Sequence, residues 1–178
     1  QIETAETLCT GAFKTDVMPF YFPTYAVRNF YPERMSPEKY ILGVFVIHGF
    51  GYTAFVIDRE GRPYWMYHEE ARMSAMIERD IQGSGVVLNS YPNDLSSDDG
   101  QILYINRMGE VTESIQTPLG HHAFMQFDDG TLAWPAFDIR SWYDPDLEED
   151  VLVSGDTIVE RSPDGQITEV FNSWDWLA

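Results

Sequence analysis

The sequence predicts an all-β protein built from antiparallel, four-stranded units of the kind that form the blades of a β-propeller. Two observations lead to this prediction. Aromatic residues make up 15% of the chain and are spread along it, a composition that favours sheets over helical bundles. A pattern of apolar strand, glycine-closed polar turn and second strand also returns at intervals of about 50 residues, which is typical of propellers and related arrays.

Three predicted hairpins carry this repeat. Each begins with an apolar strand and continues into a turn with Asp or Asn before its closing Gly, as in hairpins where a type I turn precedes a left-handed residue. The hairpins cover residues 52–67, 101–115 and 156–171. Their turn glycines, which are 48 and 56 residues apart, are Gly61, Gly109 and Gly165.

A second unit lies between the hairpins. Residues 73–88 can be laid over residues 121–134, and each stretch is again strand, Gly turn and strand, the second with Gly130 in its turn. Two such hairpins per period give four strands, which is one propeller blade. A helix across residues 69–81 is the rival interpretation, and a short helix is expected where Ser36 and Pro37 precede Glu38.

The repeat predicts how the chain is divided. Residues 51–178 contain two full periods and the first hairpin of a third, whereas residues 1–50 form a non-repeat segment that packs on the blades or precedes them. The longest apolar run, residues 41–47, suits a buried strand. Because propellers close with 4–8 blades, an incomplete propeller is expected. Its apolar sheet faces then need the remaining blades or another chain to cover them.

Charge and cysteine content exclude several classes of partner and site. The chain has 11 basic and 29 acidic residues, a formal net charge of −18, which argues against binding to nucleic acid or to an anionic membrane surface. No apolar run approaches the ~20 residues of a membrane span. Cys9 is the only cysteine, so an intrachain disulfide and a zinc site of the Cys-pair kind are excluded. Residues 1–10 lack the features of a signal peptide. A mature chain from which a signal peptide had been removed would lack them too.

One stretch of the sequence resembles a known family. The run Gly120-His121-His122-Ala123-Phe124, followed by the turn at residues 129–132, is similar to the arylsulfotransferase family of β-propellers. The resemblance covers roughly residues 50–178 and includes the rhythm of the repeats. Ala123 stands where the family usually has Asp, and the family carries further histidines in later blades.

The resemblance implies a function. Family members transfer a sulfuryl group from an aryl sulfate to a phenol through a covalent histidine intermediate, without a nucleotide sulfate donor. It therefore implies catalytic roles for His121 and His122, a substrate-binding role for Arg140 at the sulfate oxygens, and no cofactor. A metal site at the pair is not expected, because adjacent strand residues diverge and no third ligand follows at useful spacing. It also implies a periplasmic or secreted protein, of which this chain is expected to supply only a part of the full enzyme.

The chemistry of the residues leaves the roles within the pair open. Neutral imidazole is a nucleophile that is well populated at pH 7. Adjacent residues on a strand point to opposite faces, so one histidine is expected to face the central channel, and alternation with Phe124 and Gln126 favours His122. The alternatives are a structural role for the pair and, for Arg140, an ion pair with nearby acidic residues.

A second function remains open beside the enzyme. The chain is alternatively a non-catalytic propeller-repeat module for binding or for extracellular assembly, which the Ala at position 123 and the short length favour. His48 and His68 are expected to be local hydrogen-bond partners. The acidic stretch at residues 144–150 is interpreted as a solvated loop or, alternatively, a calcium site, although it lacks the Gly-centred loop of an EF-hand.

Overall fold

The computed structural model describes residues 38–47, 49–83, 85–92 and 98–176. In these ranges the protein is all-β, every strand pair is antiparallel, and the one helical segment is a 3-10 helix at Ser173–Trp176. The strands are β1 (Tyr40–Ile47), β2 (Gly51–Asp58), β3 (Pro63–Glu69), β4 (Arg72–Met73), β5 (Ile77–Arg79), β6 (Val86–Pro92), β7 (Gln101–Ile105), β8 (Val111–Gln116), β9 (Met125–Gln126), β10 (Leu132–Asp144), β11 (Glu149–Arg161) and β12 (Ile167–Asn172).

The strands form three sheets in chain order. The first sheet is β1-β2-β3, and the last sheet is the four-stranded meander β9-β10-β11-β12. In the middle sheet, β4 and β5 pair with successive parts of one edge of β6, and β7 and β8 follow on its other side. The middle sheet is therefore also a four-stranded meander, with a first strand made in two pieces.

The middle sheet is packed between the other two. Val86 and Leu88 of β6 lie in one core cluster with residues of β2, while Val87 lies in a second cluster with residues of β9–β10 and their approach. Both faces of β6 are thus buried, which explains its unbroken apolar start. Complete burial of a side chain such as Leu88 contributes about 1.5–3 kcal/mol, so this layering is a major source of stability.

The structure confirms the four predicted glycine turns. In each turn the glycine has a positive φ of 81–90° and its N–H donates to the carbonyl three residues earlier at 2.9–3.0 Å. A left-handed φ costs a residue with a Cβ about 1–2 kcal/mol, whereas glycine adopts it freely. These turns join the strands of all three sheets and are centred on Gly61, Gly109, Gly130 and Gly165.

The rival helix across residues 69–81 is wrong. This stretch contains β4 and β5, and both pair with β6. The two strands are separated at residues 74–76, where the Asn89 side chain accepts hydrogen bonds from Ser74 Oγ, Ala75 N and Met76 N at 3.2, 3.1 and 3.0 Å. This interruption is why the apolar residues of the stretch do not alternate cleanly.

The same interruption recurs 48 residues later, in the last sheet. Gly120 forms a bridge with Ala136, and pairing with β10 resumes only at Met125. Ala71 and Leu119, just before the two interrupted strands, both have a left-handed φ, of 57° and 56°. The predicted overlay of residues 73–88 on 121–134 therefore has a counterpart in the backbone, and it places the His pair at the interruption.

Two details of the predicted organisation need correction. The middle sheet joins residues 73–88 to the hairpin that follows them, and the last sheet joins residues 121–134 to the next hairpin. A blade counted from the start of the hairpin at residue 52 or 101 is therefore out of phase with these two sheets. The apolar run at residues 41–47 forms a strand, β1, as expected, but this strand is not fully buried. Among the described residues β1 is an edge strand of the first sheet, and Ile41 is 46% exposed.

Several predictions are left untested by the fold. The short helix at residues 36–38 and the roles of Cys9 and His48 fall at or outside the limits of the described residues. The domain boundary at residue 50 stays a prediction, with β1 paired along its length to β2. Among the described residues no helix is both long and apolar enough to cross a membrane.

Candidate functional site: a histidine pair on the last sheet

The His pair lies between β8 and β9, alongside β10. His121 is held in place by its backbone N–H, which donates to Pro135 O at 3.1 Å, next to the bridge between Gly120 and Ala136. Pairing then stops, because the chain turns at His122 before β9 begins. The pair therefore occupies the interruption in the first strand of the last sheet.

His122 is the central residue of a tight turn. Ala123 N donates to His121 O at 2.7 Å, and His122 has a φ of 57°. A three-residue turn with a positive central φ is rare and strained. Strained conformations of this kind cost about 1–3 kcal/mol and cluster at functional sites. Ala71 and Leu119 have a similar φ, so the strain supports a functional role for His122 only together with the position of its imidazole.

The turn brings the two imidazole rings together. Their Nδ1 atoms are 2.7 Å apart, and the rings meet edge to face with centroids separated by 4.9 Å. The expectation that the side chains point to opposite faces is therefore wrong. It assumed an extended strand, and the left-handed φ of His122 removes that geometry.

His121 is the buried member of the pair. Its residue surface is 8% exposed, and its ring stacks on Phe137 of β10 with centroids 3.9 Å apart. Its Nε2 atom lies 3.3 Å from Asp156 Oδ1, an ion-pair distance without full hydrogen-bond alignment. Asp156 reaches the ring because it is the register partner of Phe137 across β10 and β11.

The surroundings keep His121 in its neutral form. Burial lowers the pKa of His121 below its ordinary value of 6.5, the neighbouring His122 lowers it further, and Asp156 opposes the change. A neutral imidazole has one N–H donor and one acceptor nitrogen. At pH 7 the Nδ1 atom of His121 is therefore either a donor to His122 or an acceptor from it, but not both.

His122 is the accessible member of the pair. Its side chain is exposed, and its Nδ1 atom is occupied by the contact with His121. Its ring lies 6.5 Å from that of Tyr91, which belongs to β6 of the middle sheet. The accessible imidazole therefore lies where the middle and last sheets meet.

The structure does not bring Arg140 to the pair. Arg140 and Phe137 are three residues apart on β10, so their side chains leave opposite faces of the sheet. The Arg140 guanidinium is 2.6 Å from Asp138 Oδ2 and lies over the Trp174 ring at 5.3 Å. These contacts agree with the ion-pair interpretation of Arg140.

Sequence reasoning missed the residues that surround the pair. Ala123 removed the expected neighbouring carboxylate, but Asp156 supplies one from β11. The local sequence around Asp156 does not predict its contact with His121, because that contact depends on the register of β10 and β11. Phe137 and Tyr91 were missed for the same reason, whereas His68 is the local partner that was expected, with Nδ1 3.0 Å from Thr53 Oγ1.

The other predicted sites can be placed as well. In the part of the chain that the structure describes, no three His, Cys, Asp or Glu side chains are grouped as a metal ion would require. The acidic stretch forms the turn between β10 and β11, where Asp144 Oδ1 accepts hydrogen bonds from the backbone N–H groups of Asp146 and Leu147.

Comparison of the chain with protein-family models, with curated proteins and with solved structures gives no match.

Proposed function

We propose that the chain forms consecutive blades of a β-propeller that carries a histidine site for sulfuryl transfer from an aryl sulfate to a phenol. The propeller is supported by three sheets that pack face to face in chain order, two of them four-stranded meanders with the same turn and the same interruption. The outer face of the last sheet exposes apolar side chains, as expected of a sheet that packs against a further blade. Met125, Ile139 and Phe171 are 56%, 39% and 43% exposed there.

The transfer reaction is supported by one observation, the exposed imidazole of His122 held through Nδ1 by a buried partner. This arrangement leaves Nε2 of His122 as the ring atom available to a substrate. In the proposed reaction, the Nε2 lone pair forms a bond to sulfur while the sulfur–oxygen ester bond breaks and its electron pair leaves with the phenolate. The acceptor phenol gives its proton to the phenolate released in the first step, its oxygen attacks sulfur, and the nitrogen–sulfur bond breaks to restore His122.

A second function, the non-catalytic propeller-repeat module, is favoured by the position of Arg140. Developing negative charge on sulfate oxygens needs cationic or N–H donors. Arg140 was the predicted donor, yet it pairs with Asp138 on the other face of β10. In this alternative, the sheets serve binding or assembly and the His pair is structural.

An assay with a chromogenic aryl sulfate and a phenol acceptor distinguishes the two functions. We expect weak turnover by the chain, loss of turnover in His122→Ala, and at least a tenfold decrease in His121→Ala, which corresponds to ~1.4 kcal/mol of barrier. His68→Ala, which alters a histidine of the first sheet, is the matched control and should leave turnover unchanged. Intact-protein mass spectrometry should detect the sulfuryl group on the wild-type chain and not on His122→Ala.

Two outcomes would contradict the enzyme. If neither histidine variant changes turnover by more than tenfold, the pair is structural. If the wild-type chain shows neither turnover nor a labelled histidine, the non-catalytic module is the better assignment.

A further inference from the structure

We propose that Asp156 is a positioning residue that acts through His121 to hold His122 in the tautomer whose Nε2 atom carries the lone pair. This proposal rests on the function proposed above for His122. It concerns three side chains from two separate parts of the chain, the turn at residues 121–122 and strand β11.

The first step is the contact between Asp156 and His121. Asp156 Oδ1 lies 3.3 Å from Nε2 of His121, and that nitrogen is buried. A carboxylate oxygen is only an acceptor, so an unprotonated Nε2 would direct its lone pair at a negative charge. The contact therefore favours the tautomer of His121 with the proton on Nε2 and an acceptor lone pair on Nδ1.

The second step is the contact between the two rings. At 2.7 Å, the two Nδ1 atoms must share a single proton, because two lone pairs or two N–H groups would repel each other. Since Nδ1 of His121 is the acceptor, Nδ1 of His122 is the donor. The remaining ring nitrogen of His122, Nε2, then carries the lone pair on the exposed side.

The third step follows the proton during the reaction. When Nε2 of His122 bonds to sulfur, its ring becomes cationic, and the Nδ1 proton can pass to Nδ1 of His121. His121 is then an imidazolium whose charge Asp156 stabilises, as the aspartate of a Ser-His-Asp triad stabilises the imidazolium of its histidine. When the nitrogen–sulfur bond breaks, the electron pair returns to Nε2 of His122 and the proton returns to Nδ1.

The surroundings determine how strong this effect can be. The Asp156 side chain is 63% exposed, so solvent screens its charge and its main effect is on orientation. Among the described residues, the charged or titratable groups that act on His121 are His122 and Asp156, while Tyr91 faces His122 from β6 and Arg140 lies on the opposite face of β10. Asp156 thus supplies from a neighbouring strand the carboxylate that Ala123 lacks.

The test is nitrogen NMR of the chain labelled at its four histidines, in which protonated and unprotonated ring nitrogens have distinct shifts. We expect wild-type His122 to carry its proton on Nδ1, and Asp156→Ala to shift part or all of it to Nε2. The pKa of His121 should fall further in this variant, because Asp156 opposes its lowering. Asp150→Ala, another exposed carboxylate of β11, is the control and should change neither signal.

Activity then separates this proposal from the proposed function. We expect Asp156→Ala to lower kcat at least tenfold with little change in KM, the isosteric Asp156→Asn to lower it less, and Asp156→Glu to restore part of it. An unchanged His122 tautomer in both Asp156→Ala and Asp156→Asn would overturn the positioning role. A shifted tautomer in a chain whose wild type transfers no sulfuryl group would uphold that role and overturn the enzyme.

Discussion

At the residue scale, His122 holds a left-handed φ of 57° that few residues with a Cβ adopt. The conformation is maintained by the bonds on either side, from His121 N to Pro135 O and from Ala123 N to His121 O. The strained φ therefore lowers the stability of the fold, and in return it holds the two imidazole rings in contact. Such a trade-off between stability and function is common in proteins.

The strain at His122 predicts the relative stability of two variants. His122→Gly and His122→Ala both remove the imidazole, but only glycine relieves the strained φ. We expect His122→Gly to be more stable than His122→Ala by about 1–2 kcal/mol in the free energy of unfolding, measured by urea denaturation. Ala123→Gly, at a position without a positive φ, is the control and should lower stability. Equal stability of the two His122 variants would show that the turn is not strained.

The site could be predicted from the sequence only in part. The adjacent histidines stand out in a chain with four, and their location at the start of a sheet follows from the repeat. Their contact could not be foreseen, because it depends on the φ of one residue. Asp156 could not be foreseen either, because no local pattern reports which residues of β10 and β11 face each other.

At the element scale, the interruption of the first strand in the middle sheet depends on one side chain. Asn89 Oδ1 accepts three hydrogen bonds, one from the Ser74 hydroxyl and two from the backbone N–H groups of Ala75 and Met76, which lie between the two pieces of the strand. The sequence predicted the glycine turns well, since each has its own Asp, Asn or Gly signal. It did not predict the interruption, because Asn89 sits at the end of an apolar run and looks like any strand residue.

Removal of this acceptor should be costly. Asn89→Ala leaves the backbone N–H groups of Ala75 and Met76 without their partner, and a buried N–H group without a partner costs about 1–3 kcal/mol. Because Ala75 is exposed, water can replace part of its lost bond. We therefore expect the free energy of unfolding to fall by about 2–4 kcal/mol. Ser74→Ala removes one donor and leaves the acceptor in place, so its loss should stay near 1 kcal/mol. Similar losses in the two variants, compared by chemical denaturation, would contradict the role given to Asn89.

At the scale of the whole molecule, the three sheets differ in how much of their surface is covered. The middle sheet has a core cluster on each face. The outer face of the last sheet has none among the described residues, and Met125 and Phe171 are 56% and 43% exposed there. The period of the repeat predicted such layering, but the sequence alone could not tell which face would be left uncovered.

We therefore expect the chain to self-associate through the outer face of the last sheet. Its net charge of −18 opposes association, so association should increase as salt screens the charge. Met125→Asp should weaken association in sedimentation velocity, whereas Met108→Asp, at a turn where the side chain is 81% exposed, should have little effect. A stable monomer at every salt concentration would contradict this expectation.

The interruption shared by the middle and last sheets has a further consequence for evolvability. At this position a short stretch of each sheet, residues 74–76 in the middle sheet and residues 122–124 in the last, leaves the strand conformation and with it the regular alternation of faces. In the middle sheet this stretch is bound to the Asn89 side chain by hydrogen bonds, and in the last sheet the corresponding stretch contains His122. Side chains at this position can therefore differ between the two sheets while the strand pairs on either side are kept, which lets one scaffold carry a hydrogen-bonded connection in one sheet and a histidine pair in the other.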